Sequence, residues 1–284
     1  MGSELMEHTQ SAMENLKTSL IPYRAVYDVK MTSSKRGSEI LGVSGNAVIS
    51  FQHSCFGWTT DQRYRMIYEY SAANPVEMTT QVSSFEKFDG QVMDFSNVRF
   101  HDNEILNVVR GAASLEKNSG EKNSGGFAQF SLPKLQKIRL DSGTFFPTAH
   151  TQYLIDEAKA GKKIIFAKIF DGSDTQGVFE ANAVVTKSLK AAPLSPPLSP
   201  PNSKLTNGLD SKSKIDPDLL NSAGWVIDMA VFPPQSVDEL SDYELSMELQ
   251  ENGIVRSIRV DYHDFSIKQT LVLLQKLPKD TCEE

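Results

Sequence analysis

From Leu20 onward, apolar and polar residues alternate in short runs broken by turn-forming residues, which is the period-two pattern of half-buried β-strands. The clearest run is Tyr243–Gln250, where Tyr243, Leu245, Met247 and Leu249 share one face and polar or charged residues take the other. Glu251, Asn252 and Gly253 follow, and an Asn-Gly pair supplies the two positive-φ residues of a tight hairpin, leading into a strand over 254–262. His263 and Asp264 turn the chain again into 265–274, so the C-terminal part is predicted to be a three-stranded meander. Strands are also predicted over 24–31, 45–52, 57–70, 76–88, 92–100 and 105–113, with Asp89-Gly90 and Asp102-Asn103 in two of the links. Such short links favour antiparallel neighbours, because a parallel crossover needs a dozen or more residues.

One segment breaks the period. Phe146-Pro147-Thr148-Ala149-His150-Thr151 opens a run over 152–159 in which Tyr153, Leu154, Ile155 and Ala158 lie to one side, with a threonine available as N-cap and Gly161 as the stop. A single helix near 148–160 is too little for an α/β fold. The expected class is therefore mainly all-β, built on a large antiparallel sheet.

Two stretches are low in complexity. Residues 116–120 are repeated at once as 121–125, a polar duplication suited to an exposed loop. A Pro- and Ser-rich stretch from Pro193 to about Pro217 favours extended conformations and cannot bury a core. It reads either as a linker between domains or as a flexible insert at about 191–218 within one domain spanning 20–282. The second is expected, because three strands alone cannot hide their apolar face. Residues 1–19 form an N-terminal tail.

Composition narrows the function. The net charge of -7 argues against a phosphate-binding surface and hence against nucleic acid as a partner. No apolar run approaches the roughly 18 residues of a membrane span, so the chain is expected to be soluble or at most peripheral. The first twenty residues lack the basic start and apolar stretch of a signal peptide. Taken literally this means cytoplasm; alternatively Met1-Gly2-Ser3 is a scar left where a leader was removed.

Candidate chemistry is sparse. His53 and Cys55 make two metal ligands without a third, so no metal is expected. His150 opens the helix, where its ring caps the helix or faces a cavity. Phe170-Asp171-Gly172-Ser173-Asp174 lacks the spacing of a calcium loop and reads as a tight turn, with Asp171 and Ser173 bonding to backbone amides. Gly42-Val43-Ser44-Gly45 is not a nucleophile elbow, and neither a phosphate loop nor a dinucleotide fingerprint occurs, so no catalytic residue and no cofactor are assigned. Phe51, Phe56, Trp58, Tyr64, Tyr68 and Tyr70 crowd one region, as core or as the lining of an apolar concavity. Cys55 lies just ahead of a strand and Cys282 in a polar tail; they are either a disulfide across the ends of the domain or two unrelated reduced thiols.

Several blocks occur together in an order that resembles a known family. They are 20–28 (Leu-Ile-Pro-Tyr-Arg-Ala-Val-Tyr-Asp), Ser54-Cys55-Phe56-Gly57-Trp58-Thr59, Phe146-Pro147-Thr148-Ala149-His150 and 170–174. Tyr243-Glu244-Leu245-Ser246 with Glu251-Asn252-Gly253, then Asp261-Tyr262-His263-Asp264-Phe265 and the closing Cys282, complete the set. Over residues 20–282 the chain resembles the cell-envelope integrity protein EipB family, long described as a domain of unknown function.

The resemblance implies a periplasmic protein of Gram-negative bacteria, with one large spiral β-sheet like an opened barrel and a disulfide joining Cys55 to Cys282. It also implies a role in envelope integrity, a periplasmic tetratricopeptide-repeat partner, and a shape shared with carriers of lipoproteins and other apolar ligands. It implies no enzymatic activity. The Pro-rich insert departs from the family pattern. The expectation is a non-catalytic binding or scaffold protein that holds a protein partner or a lipid-like ligand on a concave sheet, with Trp58, Phe146, His150 and Asp171 as candidate ligand- or partner-facing residues. The alternative is an envelope-directed hydrolase, which requires His150 and Asp171 to meet within hydrogen-bond reach.

Overall fold

The computed structural model describes residues 20–116, 124–191, 215–234, 240–280 and 282. The N-terminal tail, most of the tandem repeat and the body of the Pro-rich insert lie outside the described residues.

In chain order, the strands of the first half are β1 (Tyr23–Ser34), β2 (Ile40–His53), β3 (Gly57–Tyr70), β4 (Val76–Lys87), β5 (Val92–His101), β6 (Glu104–Leu115), β7 (Gly126–Leu132) and β8 (Gln136–Leu140). Then come β9 (Thr144–Phe145), the helix α1 (Pro147–Lys159), β10 (Ile164–Ile169) and β11 (Phe179–Leu189). A short 3-10 helix (Pro217–Leu220) precedes β12 (Gly224–Phe232), β13 (Tyr243–Gln250), β14 (Val255–Asp261) and β15 (Phe265–Lys276).

All fifteen strands form one sheet in the order β8-β7-β6-β5-β4-β3-β2-β1-β15-β14-β13-β12-β11-β10-β9. Its neighbours are antiparallel except β9 and β10, which are parallel and linked through α1. The two edge strands, β8 and β9, are consecutive in the chain and separated only by residues 141–143, so the sheet curls back on itself into a nearly closed barrel. The mainly-β class, the single large open-barrel-like sheet and the one α-helix expected from the sequence are what the described residues form.

Register defines the inner wall. Across the first half, Trp58 lies opposite Glu86, Glu86 opposite Met93, Met93 opposite Ala113, Ala113 opposite Ala128, and Ala128 opposite Ile138. Alternation keeps each of these on one face. The same face continues through Ile165, Ala183, Ile227 and Leu249 of the second half, because α1 packs Leu154, Ile155 and Ala158 against these residues and against Trp58 in one buried cluster. A helix that touches facing walls of a curled sheet lies inside it, so α1 is an internal plug. Each large side chain fully buried by this plug contributes about 1.5–3 kcal/mol.

A second cluster joins β1, β2, β14 and β15 to Leu219 and Leu220 of the 3-10 helix. Gln250 fixes that helix by donating through Nε2 to the carbonyls of Leu220 (2.9 Å) and Ser222 (3.0 Å). A third joins Met93, Phe95, Phe130 and Leu140 to Phe146 and Phe170.

Two local expectations need correction. No threonine caps α1: the N-cap is Phe146, without a side-chain cap, and Pro147 occupies the first turn. The capping group arrives from the sheet, as described below. The β13–β14 turn does not use two positive-φ residues either, since only Gly253 (φ +84°) is left-handed while Asn252 Oδ1 accepts from Ile254 N at 3.1 Å. Asn252 spends its amide on Leu219 O (2.9 Å), which ties the hairpin to the 3-10 helix. Two consecutive left-handed residues occur instead at Asp102 (φ 47°) and Asn103 (φ 68°), between β5 and β6.

Candidate functional site

The interior around α1 is the candidate site. Its first element is an acidic side chain on the inner wall. Glu86 is 3% exposed, and its two carboxylate oxygens accept the backbone N–H groups of Thr148 and Ala149, each at 2.8 Å. These amides belong to the first turn of α1, whose N–H groups have no partner within the helix, so Glu86 supplies from β4 the cap that the local sequence lacks. Burial pushes its carboxyl up to about 7, against the opposing pull of the Thr148 and Ala149 amides.

Trp58, 1% exposed, is the cross-strand neighbour of Glu86 and stacks on Phe51 with ring centroids 4.4 Å apart. Phe88 and His53 meet it edge-on. Just before this strand, Cys55 is joined to Cys282, with Cα atoms 5.5 Å apart and a sequence separation of 227. The C-terminal tail is thereby held against the aromatic end of β2 and β3.

His150 is buried on α1; its Nε2 meets no hydrogen-bond partner, and burial lowers its pKa to about 4, so the ring is neutral near pH 7. Phe146 is fully buried in the third cluster with Phe170. Asp171 follows Phe170 in a turn that reaches inward: Gly172 has φ +68°, a Cβ there would lie 2.4 Å from the Phe95 ring, and Asn97 Nδ2 donates to Ser173 O at 3.4 Å. Asp171 Oδ1 accepts from Ser173 N at 2.9 Å, the amide bond the sequence predicted, whereas the Ser173 side chain bonds to the Asp171 carboxylate instead of to an amide. Burial raises the Asp171 carboxyl.

His150 and Asp171 thus both lie in the interior, but no hydrogen bond links them. The His150 shift comes from burial alone, and the Asp171 carboxylate is engaged with Ser173. Trp58 packs against the plug and His150 belongs to it, with its ring centroid 6.5 Å from that of Phe145, while Phe146 and the Asp171 turn pack toward β5 and β7.

Beyond the plug, the inner wall is lined in part by residues the sequence did not single out, Glu86, Met78, Thr80 and Val82 of β4. Alternation and register put Met78, Thr80 and Val82 of β4 on the same face as Glu86, and they are half-buried, as are Leu245 and Met247 of β13. Tyr64, Tyr68 and Tyr243 line the same space, each with its phenol pushed up to about 12, chiefly by burial. The Asp171 charge adds to the upward shift of Tyr243. A small cavity of about 130 Å³ separates the first turn of α1 from the wall, bordered by Tyr23, Phe51, Thr60, Gln62, Pro147 and Thr151. Of the aromatic group seen in the sequence, Phe51, Trp58, Tyr64 and Tyr68 face this interior, while Phe56 is 77% exposed. The missed residues shared one signal: an inner-face parity within strands already predicted.

Residues 14–278 match the model of the EipB-like family. The chain belongs to the EipB-like family. It is 30% identical over 257 residues to the cell envelope integrity protein EipB of Brucella abortus (strain 2308), covering 90% of this chain and 84% of that protein. It also superimposes on the crystal structure of a β-barrel-like protein of a domain of unknown function from Brucella abortus, with a TM-score of 0.77 and 30% identity over 92% of this chain and 99% of the other. The barrel-like sheet is therefore shared by a solved relative, and the resemblance read from the motifs holds.

Proposed function

We propose that this EipB-like protein supports the cell envelope from the periplasm as a non-catalytic binding protein, and that the interior beside α1 holds an apolar, lipid-like ligand. The observation that carries the reading is the half-buried inner wall itself. Met78, Val82, Leu245 and Met247 offer apolar surface, and Tyr64, Tyr68 and Tyr243 add hydroxyls at its margin, the composition of a pocket for an amphipathic molecule. The Cys55–Cys282 bond supports an oxidising compartment. The envelope role follows the name of the Brucella abortus relative, and a periplasmic tetratricopeptide-repeat protein is the partner the family resemblance implies.

A fluorescent long-chain fatty acid tests the reading. The intact protein should take it up, Val82→Glu should abolish uptake, and Gln81→Glu, on the opposite face of the same strand, should leave it unchanged. Absence of uptake by the folded protein, with no adduct in its native mass spectrum, overturns the ligand reading. Hydrolysis of envelope material that is lost on both His150→Gln and Asp171→Asn would instead favour the hydrolase.

A further inference from the structure

The barrel stops short of closure at β10. β9 pairs with β10 only at Lys168 and Ile169, so residues 164–167 have a sheet neighbour on one side alone. Val185 N donates to Lys163 O at 2.9 Å, and the register sets Ile164 opposite Val184. In an antiparallel ladder, hydrogen-bonded and non-hydrogen-bonded pairs alternate. Lys163, Ile165 and Ala167 therefore spend their N–H and C=O groups on β11, while those of Ile164 and Phe166 point away from it, to the free edge. Their side chains stand on the outer face, 59% and 66% exposed, beside Val184 at 43%. A row of unspent main-chain groups flanked by exposed apolar side chains at alternate positions is a template for strand addition.

We propose that the β10 edge is a docking site for an extended peptide segment of another protein, which pairs with Ile164 and Phe166, packs apolar side chains on Ile164, Phe166 and Val184, and carries acidic residues at one end. The charge follows from the ends of the strip. Lys162 is held by Glu157 and Lys168 by Asp141, whereas no described carboxylate pairs with Lys163 or Lys187. A second copy of this chain fits poorly. Pairing that uses the free groups of both copies sets Ile164 opposite Phe166 and runs Lys162 onto Lys168, which is already paired with Thr144 of β9, so the ladder stops after those two residues. The proposal deepens the scaffold part of the function above and rests on it, while using nothing of the interior.

The test uses the full chain and three labelled peptides: alternating valine and threonine after two aspartates, the same after two lysines, and the aspartate form with a central proline. Fluorescence anisotropy should rank aspartate over lysine and show no binding of the proline form. A doubly substituted Ile164→Lys, Phe166→Lys protein should bind the aspartate peptide about tenfold more weakly or worse, because an exposed apolar pair loses its contacts. Amide exchange at Ile164 and Phe166 should be fast in the free protein and slowed by the peptide. Fatty-acid uptake by the double variant should remain intact, so a failed edge and a failed interior are told apart. Slow exchange at both residues without peptide, equal binding by the double variant, or a concentration-dependent dimer abolished by that variant would each overturn the proposal.

Discussion

Glu86 accepts a hydrogen bond from the backbone N–H of Thr148 at 2.8 Å across 62 residues of sequence. The contact joins the inner wall of the sheet to the helix that fills it. Removing it leaves two first-turn amides without their acceptor, the Thr148 amide in a buried position. Glu86→Ala is expected to lower unfolding free energy by about 2–3 kcal/mol in chemical denaturation, the range for a lost cap with a charged acceptor.

The same carboxylate gives a pH dependence with a defined sign. Its folded pKa of about 7 lies above the ordinary 4.5, so the folded state holds the proton more tightly between these values, and stability falls as pH rises through this window. His150 acts oppositely: its folded pKa of about 4 lies below 6.5, so stability rises with pH between them. Each effect is about 3 kcal/mol, and between pH 4.5 and 6.5 they oppose. Denaturation series should show Glu86→Gln gaining stability as pH rises from 4 to 6.5, and His150→Gln losing it from 4.5 to 7.

The Cys55–Cys282 bond closes a loop with a sequence separation of 227 residues. Replacing both cysteines by serine should cost between about 2 and 5 kcal/mol, the upper figure being the chain-entropy value for so long a loop. Thermal melts with and without reductant should show the same gap in the unsubstituted protein and none in the double variant.

Gly172 approaches Phe95 with φ +68°. A methyl group there meets both a left-handed backbone and the Phe95 ring, so Gly172→Ala should destabilise by about 3 kcal/mol. Gly161, which also has positive φ but open space around its Cβ position, is the matched control, with the smaller loss of the backbone effect alone.

How much of this was legible depended on local signal. The alternating runs of β3 and β13, bracketed by turn residues, match their observed spans residue for residue. The six strands β7 to β12 were not assigned. β9 has only two residues, too few for any period, and β10 carries Ile164, Ile165 and Phe166 in succession, so its alternation is erased by the exposed edge pair. β11 and β12 pair directly although the Pro-rich stretch lies between them in sequence. Among the site residues, Trp58, Phe146, His150 and Asp171 were visible as unusual residues in motifs. Glu86 was not, because a lone acid in an alternating strand looks like one more solvated position.

What the sequence by itself determined was the period: strands, turns and one helix follow from interactions within a few residues, and the family motifs added the pairing of the two cysteines. The tertiary structure alone decided which face was inner, that α1 lies inside the sheet, that Glu86 rather than a threonine caps it, and that β8 and β9 nearly meet. Those outcomes depend on desolvation and on contacts between residues tens to hundreds of positions apart. Local alternation supplies two faces, and only closure of the sheet chooses which of them excludes water.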